Sequence, residues 1–179
     1  MICFDNINGC VKSVSNCQSL NKLSRCANRA QRFNQFGTLG NKSSGSNNMI
    51  YEFEGKRPTI DPSAYISDSA VVIGDVTIGA RCYIGPGAVI RADEHPIWIG
   101  DESAVEDLCV IHVGGPEAKT DGCHIGKRVT IGHGAMVHGN YIRDGANIGM
   151  GAIVSLFADI GEYTVVAEGA VVKKHQTIP

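Results

Sequence analysis

The sequence predicts an all-β fold, a triangular solenoid of short parallel strands, and three observations predict it. An apolar–glycine pair keeps returning, at Ile73-Gly74, Ile78-Gly79, Ile84-Gly85, Ile99-Gly100, Ile125-Gly126, Ile131-Gly132, Ile148-Gly149 and Ile160-Gly161, with several spacings of six or a multiple of six. A second marker, alanine followed by apolar residues, opens at Ala70, Ala88, Ala135, Ala152 and Ala170; the intervals 70 to 88, 135 to 152 and 152 to 170 are 18, 17 and 18 residues. The apolar positions are mostly Val and Ile, whose β-branched side chains suit flat, repeatedly stacked strands. A six-residue unit used three times per coil closes a prism. Each short strand is then a face, each corner turns on Gly, Asn or Asp, and aliphatic side chains stack up the interior. A β-sandwich predicts turns every 8 to 12 residues or so and no six-residue clock.

Taken in order, the chain divides at Met49. Residues 1–48 hold six Lys or Arg and one acid, about +5 by count, and four of the seven cysteines. Within them Leu20, Leu23, Ala27, Ala30, Phe33 and Phe36 recur at three and four while Lys22, Arg25, Arg29 and Arg32 take other faces, a basic amphipathic stretch. It reads as upstream sequence before Met49 or, alternatively, as an organelle transit peptide. Residues 34–48 (NQFGTLGNKSSGSNN) form a polar linker, and the extension is expected to be disordered. Residues 49–179 hold ten basic and 17 acidic residues, about −7, and all six histidines. This second part is the solenoid domain.

Composition narrows the function. In 179 residues with net charge −2 there is no uniform basic surface for nucleic acid and no apolar run of the length a membrane span needs. The cysteines form no C-x-x-C pair or secreted-domain framework, which points to a reducing compartment: the cytoplasm, or an organelle if the extension is a transit peptide. Cys82, Cys109 and Cys123 are expected to fill core.

The string from Val71 (VVIGDVTIGARCYIGPGAVIRADEHPIWIGDESAVEDLCVIH), with the later VTIGHGAMVHG and IGMGAIV, resembles the γ-class carbonic anhydrase family of hexapeptide-repeat proteins. The resemblance runs from about Tyr51 to Pro179. It implies a left-handed parallel β-helix, a handedness that periodicity does not supply because parallel crossovers are normally right-handed. It also implies a long C-terminal helix, which this chain, stopping at Gln176-Thr177-Ile178-Pro179 inside what reads as the last coil, is expected to lack.

Three histidines with an open position make a catalytic rather than a structural metal site, and coil arithmetic sorts the candidates His112, His133 and His138. His112 and His138 are 26 residues apart; if residues 114–121 (GGPEAKTD) bulge from a corner, 18 remain, and the two stack one coil apart on one face. His133 lies five residues before His138, about 16 Å along an extended strand at about 3.3 Å per residue. A three-histidine site therefore takes His133 from a neighbouring subunit, and a cyclic homotrimer builds three such sites. The resemblance implies the same division. It further implies an interfacial ion pair of Arg91 with Asp93, a proton-transfer or bicarbonate-binding role for Glu94, a position near the metal water for Glu106, and a site role for Asp107, which matches the Asp of the family's N-x-Q-D string. Departures from the family pattern are Ala104 for its Asn, Glu106 for its Gln, and Gly115 where the best-known members carry a loop Glu; Glu117 and Asp121 are the acids of the loop here.

The leading expectation is a carbonic anhydrase-like enzyme using Zn2+ (or Fe2+ or Co2+) to interconvert carbon dioxide and bicarbonate, the metal activating water as nucleophile. A coenzyme-A-dependent acyltransferase, which needs one catalytic His and no metal, and a non-catalytic assembly subunit are the alternatives. Trp98 is expected to pack against a neighbouring face or subunit.

Overall fold

Two-residue strands are stable here because, within the stack, each is hydrogen-bonded to the coils above and below, and only those at the ends have a single partner. The computed structural model describes residues 2–4, 11–13, 49–115 and 119–179. Residues 49–115 and 119–179 form a parallel β-prism of about seven turns, the left-handed β-helix expected, and no helix occurs among the described residues. Of the basic extension only Ile2–Phe4 and Val11–Ser13 are described, as an antiparallel pair; the amphipathic stretch, the linker and Glu117 lie outside the described residues.

Three ladders build the three faces. On the first, Ile50, Val72, Ile90, Ile111, Val137, Val154 and Val172 stand in register one above another. On the second the column is Ile60, Ile78, Ile99, Ile125, Ile142, Ile160 and Ile178. The third stacks Ile66, Ile84, Val105, Ile131, Ile148 and Val166. From Val72, Ile78 and Ile66 onward these are buried and form one continuous core with the corner residues Ala70, Ala88, Ala135, Ala152 and Ala170. The strands alternate, one side chain in and one out, so the same two-residue period that fills the prism also decorates its surface.

Glycine, Asn and Asp do not hold every corner. Positive φ angles occur at Gly87, Gly134, Gly151 and Gly169, but also at Arg81, Glu102, Leu108, Arg128 and Tyr163. A left-handed backbone costs an ordinary residue energy, and the stack offsets it. The N–H groups of Glu102, Leu108, Arg128 and Tyr163 donate at 2.8–3.0 Å to the carbonyls of Ala80, Pro86, Asp101 and Asp144, each in the coil below. Corner hydrogen bonds thus free the outer corner side chain to be chosen for other purposes.

The insertions share one edge. Ile73 and Val76 close the first-to-second-face corner with three residues between register positions, through a bulge at Gly74. Their partners in the next coil, Arg91 and Ile97, are six apart, and His112 and Cys123 in the one after are eleven apart. Three extra residues and then eight thus enter the count at this edge, and eight is the number that the histidine spacing predicts.

Candidate metal site

The structure brings the expected site residues together as two groups on the two margins of the first face. At the margin carrying the insertions, Arg91 and His112 are register partners one coil apart, and the His138 ring stands edge-on to the His112 ring with centroids 5.2 Å apart. Asp93, on the first insertion, pairs with the Arg91 guanidinium and with His112 Nε2 at 3.0 Å. The Arg91–Asp93 pair forms within one chain. Burial pushes the Asp93 carboxyl upward, but its own backbone N–H, Arg91 and His112 together hold it below the ordinary carboxylate value. An ionised Asp93 can only accept, so His112 Nε2 carries the proton toward it. Burial first, then the charges of His112 and Arg91, lower the His138 pKa, which favours its neutral form. Two adjacent imidazoles, one of them anchored by a carboxylate, are a donor set that fits a divalent metal. Glu94 approaches the second insertion, its Oε2 lying 4.0 Å from where a side chain on Gly115 would begin, and His95 Nε2 lies 3.4 Å from the Gly115 carbonyl.

The second group sits at the opposite margin, on the corners that lead from the third face into the first. His133 Nδ1 lies 3.7 Å from Asp107 Oδ2, and donor atoms of Glu106, Asp107 and His133 all lie within 4.8 Å of one another. Glu106 is buried while His133 and Asp107 are about half exposed. The Glu106 N–H donates to Ile131 and the Gly134 N–H to Asp107, both at 2.9 Å, which locks the two consecutive corners together. Between the two groups, the outward column of the first face is Val71, Val89, Val110, Met136, Ile153 and Val171, apolar throughout. Met136, Ile153 and Val171 are exposed, and so is Leu108 beside Asp107, at 70%.

Two features of the structure were not among the sequence expectations. Asp93 bonds to His112 directly rather than serving Arg91 alone. The second is on the outer second face, where Trp98, His124 and Tyr141 stack with centroids 4.3 and 5.1 Å apart, and Asp121 ties the end of the long loop to Tyr141 at 2.7 Å. Trp98 therefore packs on its own face; the signal was available once 26- and 17-residue coil lengths placed the three in one column. Cys82, Cys109 and Cys123 are free and buried, with burial pushing the Cys109 thiol up to about 11 and that of Cys123 to about 12, as core fillers should be. Among the described residues no helix is long and apolar enough to cross a membrane.

Asp93 also makes a test of the first group. Its depressed carboxyl contributes stability that is present above the ordinary value of 3.8 and is lost as pH falls through its lower folded value. Asp93→Asn is expected to flatten the acid limb of the melting-temperature profile below about pH 4, and to weaken metal binding about 10- to 100-fold as loss of an outer-shell partner does. Thermal melts against pH and a metal titration read the two effects separately.

Six-residue rungs on a triangular prism, with imidazoles at its margins, define a hexapeptide-repeat β-helix protein. The family described as "Bacterial transferase hexapeptide (six repeats)" matches residues 57–92. Carnitine operon protein CaiE of Escherichia coli (strain K12) is 39% identical over 123 residues, 69% of this chain and 61% of that protein. Gamma carbonic anhydrase 2, mitochondrial, of Arabidopsis thaliana is 36% identical over 130 residues, 69% of this chain and 45% of that protein. Less than two thirds of either relative is thus spanned. A solved structure from Bacillus cereus, described as a candidate acetyltransferase, superposes with a TM-score of 0.68 at 35% identity, covering 73% of this chain and 74% of that one. The chain belongs to the hexapeptide-repeat family whose members include the γ carbonic anhydrases.

Proposed function

We propose that the chain is a metal-dependent carbonic anhydrase-like enzyme that hydrates carbon dioxide reversibly at the interfaces of a homotrimer. The observation that carries this reading is the division of the site: His112 and His138 on one margin of an apolar face, His133 with Glu106 and Asp107 on the other. One chain offers two incomplete halves, and rotation about a threefold axis brings unlike halves of neighbouring subunits together across the apolar column. His112 and His138 of one subunit and His133 of the next would hold the metal. When bound, the metal supplies the Lewis acidity that makes water a nucleophile at neutral pH. Asp93 fixes the His112 tautomer, Arg91 holds Asp93, and Glu94 at the mouth takes up the released proton and passes it to solvent. That the Arabidopsis relative is mitochondrial supports the transit-peptide reading of residues 1–48.

The test is elemental analysis and native mass of the full chain purified without oxygen, followed by a stopped-flow hydration assay. About one metal per subunit in a trimer, with hydration activity, is expected. A metal-free, inactive trimer would sink the reading and turn attention to acetyl transfer, the activity in the description of the Bacillus cereus relative.

A further inference from the structure

We propose that Glu106 is itself a metal ligand, so that the cation held by His133 sits in a mixed imidazole–carboxylate set rather than one of imidazoles alone. The inference rests on the interfacial reading for the share of His112 and His138, and on residues of one chain for the rest.

Glu106 is 9% exposed, yet among the described residues no hydrogen bond or ion pair reaches its carboxylate; the eight described ion pairs all use other acids. The side chain is packed into the corner while its carboxylate oxygens still meet solvent, where an incoming ion can reach them. A cation there would give the carboxylate the partner that no described side chain supplies. The geometry already supplies company for one, with donor atoms of Glu106, Asp107 and His133 within 4.8 Å of one another. Ligands about 2.0–2.2 Å from one ion lie at most about 4.4 Å apart, so a slight drawing-in completes the set. Asp107, facing His133 Nδ1 at 3.7 Å, is placed to orient the imidazole through that nitrogen and leave Nε2 for the metal. Both corners are held by backbone hydrogen bonds between coils, so the donors are positioned before any metal arrives.

The consequence is a different metal preference. Three imidazoles and one carboxylate occupy four positions, and water then needs a fifth. Ions that take five or six ligands, such as Fe(II), Mn(II) or Co(II), fit such a set better than closed tetrahedral zinc.

Cobalt(II) tests this without any turnover. The full chain, stripped of metal, is titrated with Co2+ while visible absorption and native mass are followed. The native protein is expected to give the weak bands of a five- or six-coordinate ion. Glu106→Gln, the same size and uncharged, is expected to raise the Co2+ Kd at least about tenfold and to intensify the bands as coordination falls toward tetrahedral. Glu106→Asp keeps the charge and retracts the oxygens by one methylene, and is expected to weaken binding as well; it decides the matter if the Gln variant does not fold. An unchanged Kd and spectrum in either folded variant would overturn the proposal. His112→Ala separates it from the anhydrase reading: if that variant binds Co2+ normally while Glu106→Gln does not, the interfacial site falls and Glu106 remains a ligand of a one-subunit site.

Discussion

His133→Ala is expected to cost the trimer its metal, with affinity falling about 100-fold or more, the upper end of what even an outer-shell loss produces, and hydration falling with it. The fold should be untouched. His133 is about half exposed and its corner is fixed by backbone hydrogen bonds, so the stability change stays within about 0.5 kcal/mol, as for ordinary surface substitutions. His112→Ala is expected to do the same from the other margin. Mixing the two inactive variants is the decisive step. If His112 and His133 serve one ion from two subunits, random assembly recreates an intact pair at about a quarter of the interfaces, and metal and activity return to that extent. Elemental analysis of the refolded mixture reads it directly. A mixture that stays metal-free, or a His133→Ala trimer that keeps its metal, would contradict the shared site.

Gly74→Ala is expected to be the most damaging small change in the prism. Gly74 turns the tight corner with φ +80, and a Cβ there would lie 2.2 Å from the Ala92 carbonyl oxygen of the next coil. Backbone strain of about 1–3 kcal/mol and overpacking of about 1–3 kcal/mol together suggest a loss of about 2–6 kcal/mol. Because the residue pushed is Ala92, between Arg91 and Asp93, metal affinity should fall too. Gly151→Ala is the control: its φ is +64 but nothing lies within 4 Å of a new Cβ, so it should cost only the strain. Denaturant unfolding of both variants measures the difference, and equal losses would mean that contact with the next coil is irrelevant.

Much of this architecture was legible before any coordinates, for a definite reason. Each coil solves the same packing problem, so Ile78, Ile99, Ile125, Ile142 and Ile160 repeat one environment and one spacing, and an insertion declares itself as a break in the count. That is how residues 114–121 could be subtracted to stack His138 on His112. Handedness was not legible, since residue spacing is blind to which way the prism winds. Corner chemistry was only partly so. Arg81, Glu102 and Leu108 adopt a conformation that local propensity assigns to glycine, because the hydrogen bond that secures them comes from another coil. Glu106 illustrates the same limit. As a letter it is a surface acid replacing an amide; only the stacking of corners packs it in and sets it beside Asp107 and His133.

The confinement of every insertion to the edge beside His112 divides labour along the chain. Coil length sets the spacing between imidazoles and is held by the core, while the residue count at that edge changes without shifting the register of the rungs on either side. Variation in length is thus channelled to the neighbourhood of His112, and the ladders keep their spacing whatever is added there.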